Sequence, residues 1–142
     1  MSANVLTPAA VLVLWSLVML FWMAGTRLPN AKKLGVDISK TVGGRGSDLD
    51  PMLPPQAAWK SHNYAHLMEQ PTIFYATIAI VAIAGAGTDG VNVALAWGYT
   101  LIRIVHSIWQ ATVNKVQTRF LLFLASTFCL IVLAIRALIA TL

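Results

Sequence analysis

Charged residues are scarce in this sequence. Lys, Arg, Asp and Glu make up 11% of its 142 residues, against roughly 25% in soluble domains, and this excludes an ordinary soluble domain. Acidic residues are rarer than basic ones, five against ten, which gives a formal net charge of +5. A nucleic-acid-binding protein needs an aqueous surface for such a charge, and so apolar a chain has little of one. We therefore attribute the basic excess to membrane topology and expect no nucleic acid partner.

The sequence has a single cysteine and lacks the features of a signal peptide. Cys129 is the only cysteine and lies in an apolar run, so an intrachain disulfide is excluded and a packing role is favoured. The first apolar stretch is not preceded by the Lys or Arg of a signal-peptide n-region, since residues 1–6 contain neither. We therefore expect this stretch to be the first membrane span.

The sequence does contain four apolar segments, each close to the roughly 20 residues that an α-helix needs to cross a bilayer. They predict an all-α fold, a four-helix transmembrane bundle that forms one membrane domain over residues 1–142. The predicted spans are about 6–23, 61–86, 91–113 and 120–142, with a polar loop at about 25–55. A Gly-Thr-Asp-Gly turn at residues 87–90 separates the second and third spans. The second helix is expected to be continuous, with a bend at Pro71.

Basic residues lie mostly on one side of the predicted spans. Lys115 and Arg119 separate the last two spans, whereas Arg136 alone lies near the opposite side. By the positive-inside rule, both basic segments are cytoplasmic and both termini are non-cytoplasmic. The basic residues between the first two spans are Arg27, Lys32, Lys33, Lys40, Arg45 and Lys60.

Polar residues recur at helical spacing along the third predicted span. Tyr99 begins this stripe on the far side. Arg103 lies about 18 Å into the membrane when counted from Val91 at about 1.5 Å per residue. An intramembrane arginine is costly unless it is paired or hydrated, which makes Arg103 a candidate functional residue. The other members fall within an arc of about 80° that includes Arg103: His106, Gln110, Asn114 and Gln117.

The second predicted span supplies another polar set. An antiparallel hairpin centred on the 87–90 turn places Asn63 opposite Asn114, and Glu69 opposite residues 106–110. The two sets then lie at one depth, which predicts a shared polar cavity that opens to the cytoplasm. The members of the second set are Lys60, His62, Asn63, His66, Glu69 and Gln70.

Other interpretations of these residues stay open. Glu69 could form a buried structural ion pair with Arg103 or His106, although polar contacts between membrane helices are individually weak. His62, His66 and Glu69 share one helical face and could bind a metal with His106, but an HExxH motif, a second carboxylate and a cysteine ligand are missing, so we expect no metal site. A haem axial ligand at His106 or His66 is a further alternative.

Two stretches resemble the MAPEG family (membrane-associated proteins in eicosanoid and glutathione metabolism), in its bacterial branch. The first is Asn-Tyr-Ala-His-Leu-Met-Glu-Gln-Pro at residues 63–71, followed by Phe74-Tyr75. The second is Tyr-Thr-Leu-Ile-Arg-Ile-Val-His-Ser at residues 99–107, followed by Asn114-Lys115-Val116 and Arg119-Phe120. The similarity covers most of the chain, including the four spans and the long first loop.

The resemblance implies a homotrimer in a bacterial inner membrane, with glutathione bound between subunits near the cytoplasmic face. It implies Arg119 as the arginine that stabilises the glutathione thiolate, although an ungapped alignment places Gln117 at that position. Arg103 is the other candidate for this role. Departures from the family pattern are the six-residue spacing of Asn63 and Glu69 and the absence of two tyrosines on the third helix, where His106 and Gln110 stand. The candidate glutathione-binding residues are Lys60, Asn63, Glu69, His106, Gln110 and Asn114.

The expected function is that of a glutathione-dependent transferase or peroxidase that acts on lipophilic electrophiles. Thiolate is the nucleophile, and a thiol with a pKa near ~8.5 is mostly protonated at neutral pH. A neighbouring guanidinium favours the charged form, and a lipophilic substrate can enter from the bilayer. The alternative is a non-catalytic accessory or assembly subunit on the same scaffold, in a larger membrane complex. The missing tyrosines favour that alternative.

Overall fold

The computed structural model describes residues 4–142 as a bundle of α-helices. Four helical segments are long and apolar enough to cross a membrane, which confirms the predicted all-α, four-span organisation. The second of these segments consists of two helices, so the bundle has five. They are α1 (Leu6–Lys33), α2 (Pro55–Leu67), α3 (Gln70–Ile83), α4 (Gly90–Thr112) and α5 (Val116–Thr141), with a 3₁₀ helix at Gly46–Met52.

The helix ends differ from the predicted spans, and two of the differences place basic residues within helices. Helix α1 continues past residue 23 to Lys33, and Lys32 and Lys33 occupy its last turn, where cations interact favourably with the helix dipole. Helix α5 begins at Val116 rather than at residue 120, so Arg119 lies in its first turn instead of in a loop.

The second span is interrupted, and the expectation of one continuous helix is wrong at Met68 and Glu69. Helix α2 ends at Leu67, and Glu69 has φ −86° and ψ −100°, outside the helical region. Pro71 lies in the first turn of α3. Because proline has no N–H, it cannot donate to the carbonyl of Leu67 and so cannot continue α2. The break therefore lies just before the residue at which a bend was expected.

The interruption lets the two halves of the second span contact different neighbours. Helix α2 packs against α1 and α4, whereas α3 packs against α5 and α1. Long side chains connect α3 to α4: the ring of Phe74 stacks on that of Tyr99 with the centroids 4.2 Å apart. Both residues are fully buried, as are Leu12 and Met19 of α1 and Leu133 of α5.

Both termini of the described chain lie at the same end of the bundle. The backbone N–H of Val5 donates to the carbonyl of Gly87 in the turn between α3 and α4 at 3.0 Å. Arg136, near the end of α5, donates to Asp89 in the same turn at 2.7 Å. The segment between α1 and α2 and the short α4–α5 connection lie at the opposite end.

The polar segment between α1 and α2 is held by one carboxylate. Asp50, in the 3₁₀ helix, accepts a hydrogen bond from Arg27 of α1 at 2.6 Å and one from Ser61 of α2 at 2.9 Å. The imidazole of His62 lies 3.7 Å from the same carboxylate. These contacts place the 3₁₀ helix against the basic end of the bundle.

Candidate functional site

The polar stripe of α4 faces the interior of the bundle. Tyr99 and Arg103 are fully buried, and His106 and Gln110 are 2% and 6% exposed. The stripe ends with the helix, because Asn114 has a positive φ of 55° just beyond the end of α4. Asparagine tolerates this left-handed conformation and commonly terminates helices in it. Gln117, expected on the same stripe, lies instead on α5 and is exposed.

The hairpin register differs from the prediction. The side-chain amide of Asn63 donates to Ser107 Oγ at 2.7 Å, so Asn63 lies opposite Ser107 and not opposite Asn114. Two features explain the shift. Helix α3 ends at Ile83, earlier than expected, and the non-helical residues Met68 and Glu69 add a further offset along the second span.

An inner polar layer connects α2 to α4, and we define it as Lys60, Asn63, Ser107 and Gln110. The Nζ of Lys60 donates to the carbonyls of Gln56 at 2.8 Å and Ala111 at 3.3 Å, and it lies 5.1 Å from the ring centroid of Trp22. Lys60 is therefore committed to the interior of the bundle. Within residues 4–142, Asn63 Oδ1 and Gln110 Oε1 are buried without a hydrogen-bond partner.

A groove of about 170 Å³ lies between the end of α2, the inner stripe of α4 and the start of α5. The rings of His66 and His106 are 5.1 Å apart, and the ring of Phe123 lies 5.7 Å from that of His66. Arg119 is half-buried at the groove and donates to Asn114 Oδ1 at 2.7 Å. We call this the histidine groove; its lining residues are His66, His106, Arg119, Phe120 and Phe123.

Arg103 lies directly behind the histidine groove. Its Nη2 donates to the backbone carbonyl of His66 at 3.3 Å, and its guanidinium carbon lies 5.8 Å from the Phe123 ring centroid. The His66 carbonyl belongs to the last turn of α2, where the normal helical partners are lost, and it also accepts from the backbone N–H of Glu69 at 3.3 Å. The Nε and Nη1 of Arg103 are buried without a hydrogen-bond partner in the described part of the chain. The interior of the bundle thus holds a cation with unused donors.

Glu69 contacts the imidazole of His66, one of the two histidines of the groove. Its Oε2 lies 2.7 Å from His66 Nδ1, and its side chain is 67% exposed. Glu69 is one of the two non-helical residues of the break. The sequence interpretation placed His66 in the polar set of the second span and among possible metal or haem ligands, but not among the candidate glutathione-site residues. Its three-residue spacing from Glu69 was the signal that could have suggested a carboxylate–imidazole pair.

The predicted site residues thus form two groups. Arg103, His106 and Arg119 lie at the histidine groove, with Glu69 and Asn114 bonded to groove residues. Lys60, Asn63 and Gln110 lie in the inner polar layer.

The comparison with known protein families identifies one match. The model of the MAPEG family matches residues 5–139, which is nearly the whole chain. No curated protein and no solved structure matches the sequence.

Proposed function

Since the chain belongs to the MAPEG family, we propose that it is a glutathione-dependent transferase or peroxidase that acts on lipophilic electrophiles. The observation that carries the proposal is the buried guanidinium of Arg103, whose Nε and Nη1 are unpartnered directly behind the histidine groove. A buried charge is costly unless an opposite charge meets it. The thiolate and carboxylates of glutathione supply such charges.

Two arginines favour the reactive form of the thiol. Arg119 lines the groove and Arg103 lies behind it, and a neighbouring cation stabilises thiolate over thiol. The thiolate sulfur attacks the electrophilic atom of the substrate and forms a bond to it, while the leaving group departs. His106, Glu69 and Asn114 are proposed to contact the tripeptide at the groove. Lys60, Asn63 and Gln110 would reach it from the inner polar layer after a small separation of α2 and α4.

The site is proposed to be completed by other copies of the chain in a homotrimer. Ligand pockets commonly measure roughly 300–1,000 Å³, and the groove of one chain, at about 170 Å³, is smaller. Glu69 is exposed near the middle of the 29-residue segment Pro55–Ile83, where lipid cannot solvate a carboxylate. A neighbouring subunit would cover both features.

The basic end of the bundle is proposed to face the cytoplasm of a bacterial inner membrane, with the termini on the other side. This orientation places the histidine groove toward the compartment that contains glutathione. Lipophilic substrates would reach the groove from the bilayer.

Calorimetric titration of the detergent-purified protein with glutathione tests the proposal, together with conjugation of a model aryl halide. We expect saturable binding and turnover. Arg119→Ala should raise the pKa of the bound thiol, measured from the ultraviolet absorption of the thiolate. Lys115→Ala is the matched control, because Lys115 is exposed on the same connection. No binding at millimolar glutathione would refute the enzyme proposal, and an unchanged thiol pKa in both Arg119→Ala and Arg103→Ala would refute the arginine assignment.

One observation favours the alternative of a non-catalytic accessory or assembly subunit. Lys60 and Asn63, two of the expected glutathione contacts, already bond the Ala111 carbonyl and Ser107 Oγ. If these bonds persist, glutathione has fewer partners than in an enzyme. A folded protein that binds no glutathione would support this alternative.

A further inference from the structure

His66 is the residue of the histidine groove that has a carboxylate partner of its own. Glu69 Oε2 lies 2.7 Å from His66 Nδ1. An ionised carboxylate can only accept a hydrogen bond, so the proton of the neutral imidazole is on Nδ1. Nε2 then carries the lone pair. The ring that holds this nitrogen lines the groove.

Both members of this pair lie at the break in the second span, His66 in the last turn of α2 and Glu69 in the break itself. The ring of His66 contacts those of His106 and Phe123, and its backbone carbonyl accepts from Arg103 at 3.3 Å. The backbone carbonyl of Glu69 accepts from the N–H and the hydroxyl of Thr72, at 3.1 and 2.5 Å. The imidazole is therefore oriented by its own helix end and by two neighbouring helices.

The charged and titratable groups around His66 suit a proton acceptor next to an anion site. Glu69 lies on its own segment, Arg103 and His106 come from α4, and Arg119 comes from α5. A carboxylate fixes the tautomer of a histidine base, and a nearby cation stabilises a newly formed thiolate. Both are present around one groove.

We infer that Glu69 and His66 form a dyad in which Glu69 orients His66 as the general base that deprotonates the glutathione thiol. This inference rests on the proposed function and extends it. The S–H bond breaks, the proton moves to Nε2 of His66, and the bonding pair stays on sulfur beside Arg119. The thiolate then forms a carbon–sulfur bond with the electrophile, and the leaving group departs with its electron pair. The imidazolium returns its proton to the leaving group or to water.

His66→Gln tests the base, with His62→Gln as the matched control. His62 is on the same helix, but its side chain is 54% exposed and lies near Asp50 instead of the groove. General bases contribute roughly 100-fold or more, so we expect His66→Gln to lower kcat by about 100-fold while the glutathione Kd changes less than about twofold. His62→Gln should change neither. Added imidazole should restore part of the activity of His66→Gly.

Glu69→Gln tests the positioning residue. We expect about a tenfold loss in kcat/KM, since wrongly oriented bases lose efficiency rather than all function. The ascending limb of the pH–rate profile should also move, and Glu69→Asp should recover part of the rate. A purely structural role for Glu69 would leave the position of that limb unchanged.

The outcomes separate the dyad from the proposed function. If the wild-type protein binds and conjugates glutathione and His66→Gln keeps its kcat, the dyad is wrong and the transferase stands. If His66→Gln lowers thermal stability, failure of imidazole to rescue His66→Gly overturns the dyad. If calorimetry detects no glutathione binding to the wild-type protein, both proposals fail.

Discussion

Replacing Arg103 with methionine should separate glutathione binding from stability. The guanidinium makes one described hydrogen bond, to the His66 carbonyl, and is fully buried with Nε and Nη1 unpartnered. Loss of a bond from a charged donor costs about 1.5–3 kcal/mol. Methionine, however, also removes the free-energy penalty of holding an unpaired guanidinium away from water, which is on the order of several kcal/mol. We therefore expect Arg103→Met to be neutral or stabilising in the absence of ligand.

The same substitution, Arg103→Met, should weaken the binding of glutathione. If glutathione presents an anion to Arg103, the lost charge-assisted contact of about 1.5–3 kcal/mol weakens the glutathione Kd by about 10- to 150-fold. Thermal unfolding in detergent, followed by the fluorescence of the five tryptophans, gives the stability. Calorimetry of the same samples gives the Kd.

Arg136→Met is the control for this experiment. Arg136 bonds Asp89 and Asn92 at the opposite end of the bundle, so its replacement should lower the unfolding temperature and leave the glutathione Kd unchanged. A strong destabilisation of Arg103→Met together with unaltered glutathione affinity would show that Arg103 is a structural cap of α2. That result would remove the observation on which the proposed function depends.

Two further predictions concern the ends of the bundle. The backbone N–H of Asn92 and the Arg136 guanidinium hold the pKa of Asp89 below its usual value. The stabilisation by the carboxylate is therefore present above the unfolded-state pKa of about 4 and is lost as the pH falls through the lowered pKa. We expect the unfolding temperature to drop more steeply in acid for the wild type than for Asp89→Asn. Parallel curves of unfolding temperature against pH would contradict this. At the other end, Asp50→Asn should speed limited proteolysis of residues 34–54, because Asp50 ties this segment to α1 and α2. Asp48 is the control, because among the described contacts its carboxylate accepts only the local N–H of Arg45. Asp48→Asn should therefore have little effect on proteolysis, and equal rates in both variants would refute the anchoring role of Asp50.

Periodicity in the sequence was enough to predict the inward face of α4. Tyr99, Arg103, His106 and Gln110 are spaced three or four residues apart, and all are buried. Such spacing reports which residues share a face of one helix, since it depends only on the 3.6-residue turn. It could not show where the helix ends. The stripe was extended to Asn114 and Gln117, although the left-handed Asn114 terminates α4.

Contacts between helices were harder to predict. The register of α2 against α4 depends on where α3 ends and on how many residues of the break are non-helical, and small errors in both accumulate along the hairpin. Lys60 was expected to line a polar cavity open to the cytoplasm and to bind glutathione there. Its long side chain instead reaches the carbonyl of Ala111 inside the bundle.

The break in the second span explains why the candidate site lies where it does. Backbone groups without a helical partner are tolerated within a membrane only where protein satisfies them. Because α2 ends at Leu67, the carbonyl of His66 accepts from the N–H of Glu69 at 3.3 Å instead of from the fourth residue along a helix. Arg103 donates a second hydrogen bond to this carbonyl, and its guanidinium is buried there. The same break turns Glu69 out of the helix, where its carboxylate reaches the ring of His66. A single residue that cannot continue the helix, Pro71, thus brings together a cation, an imidazole and a carboxylate at one depth of the bundle.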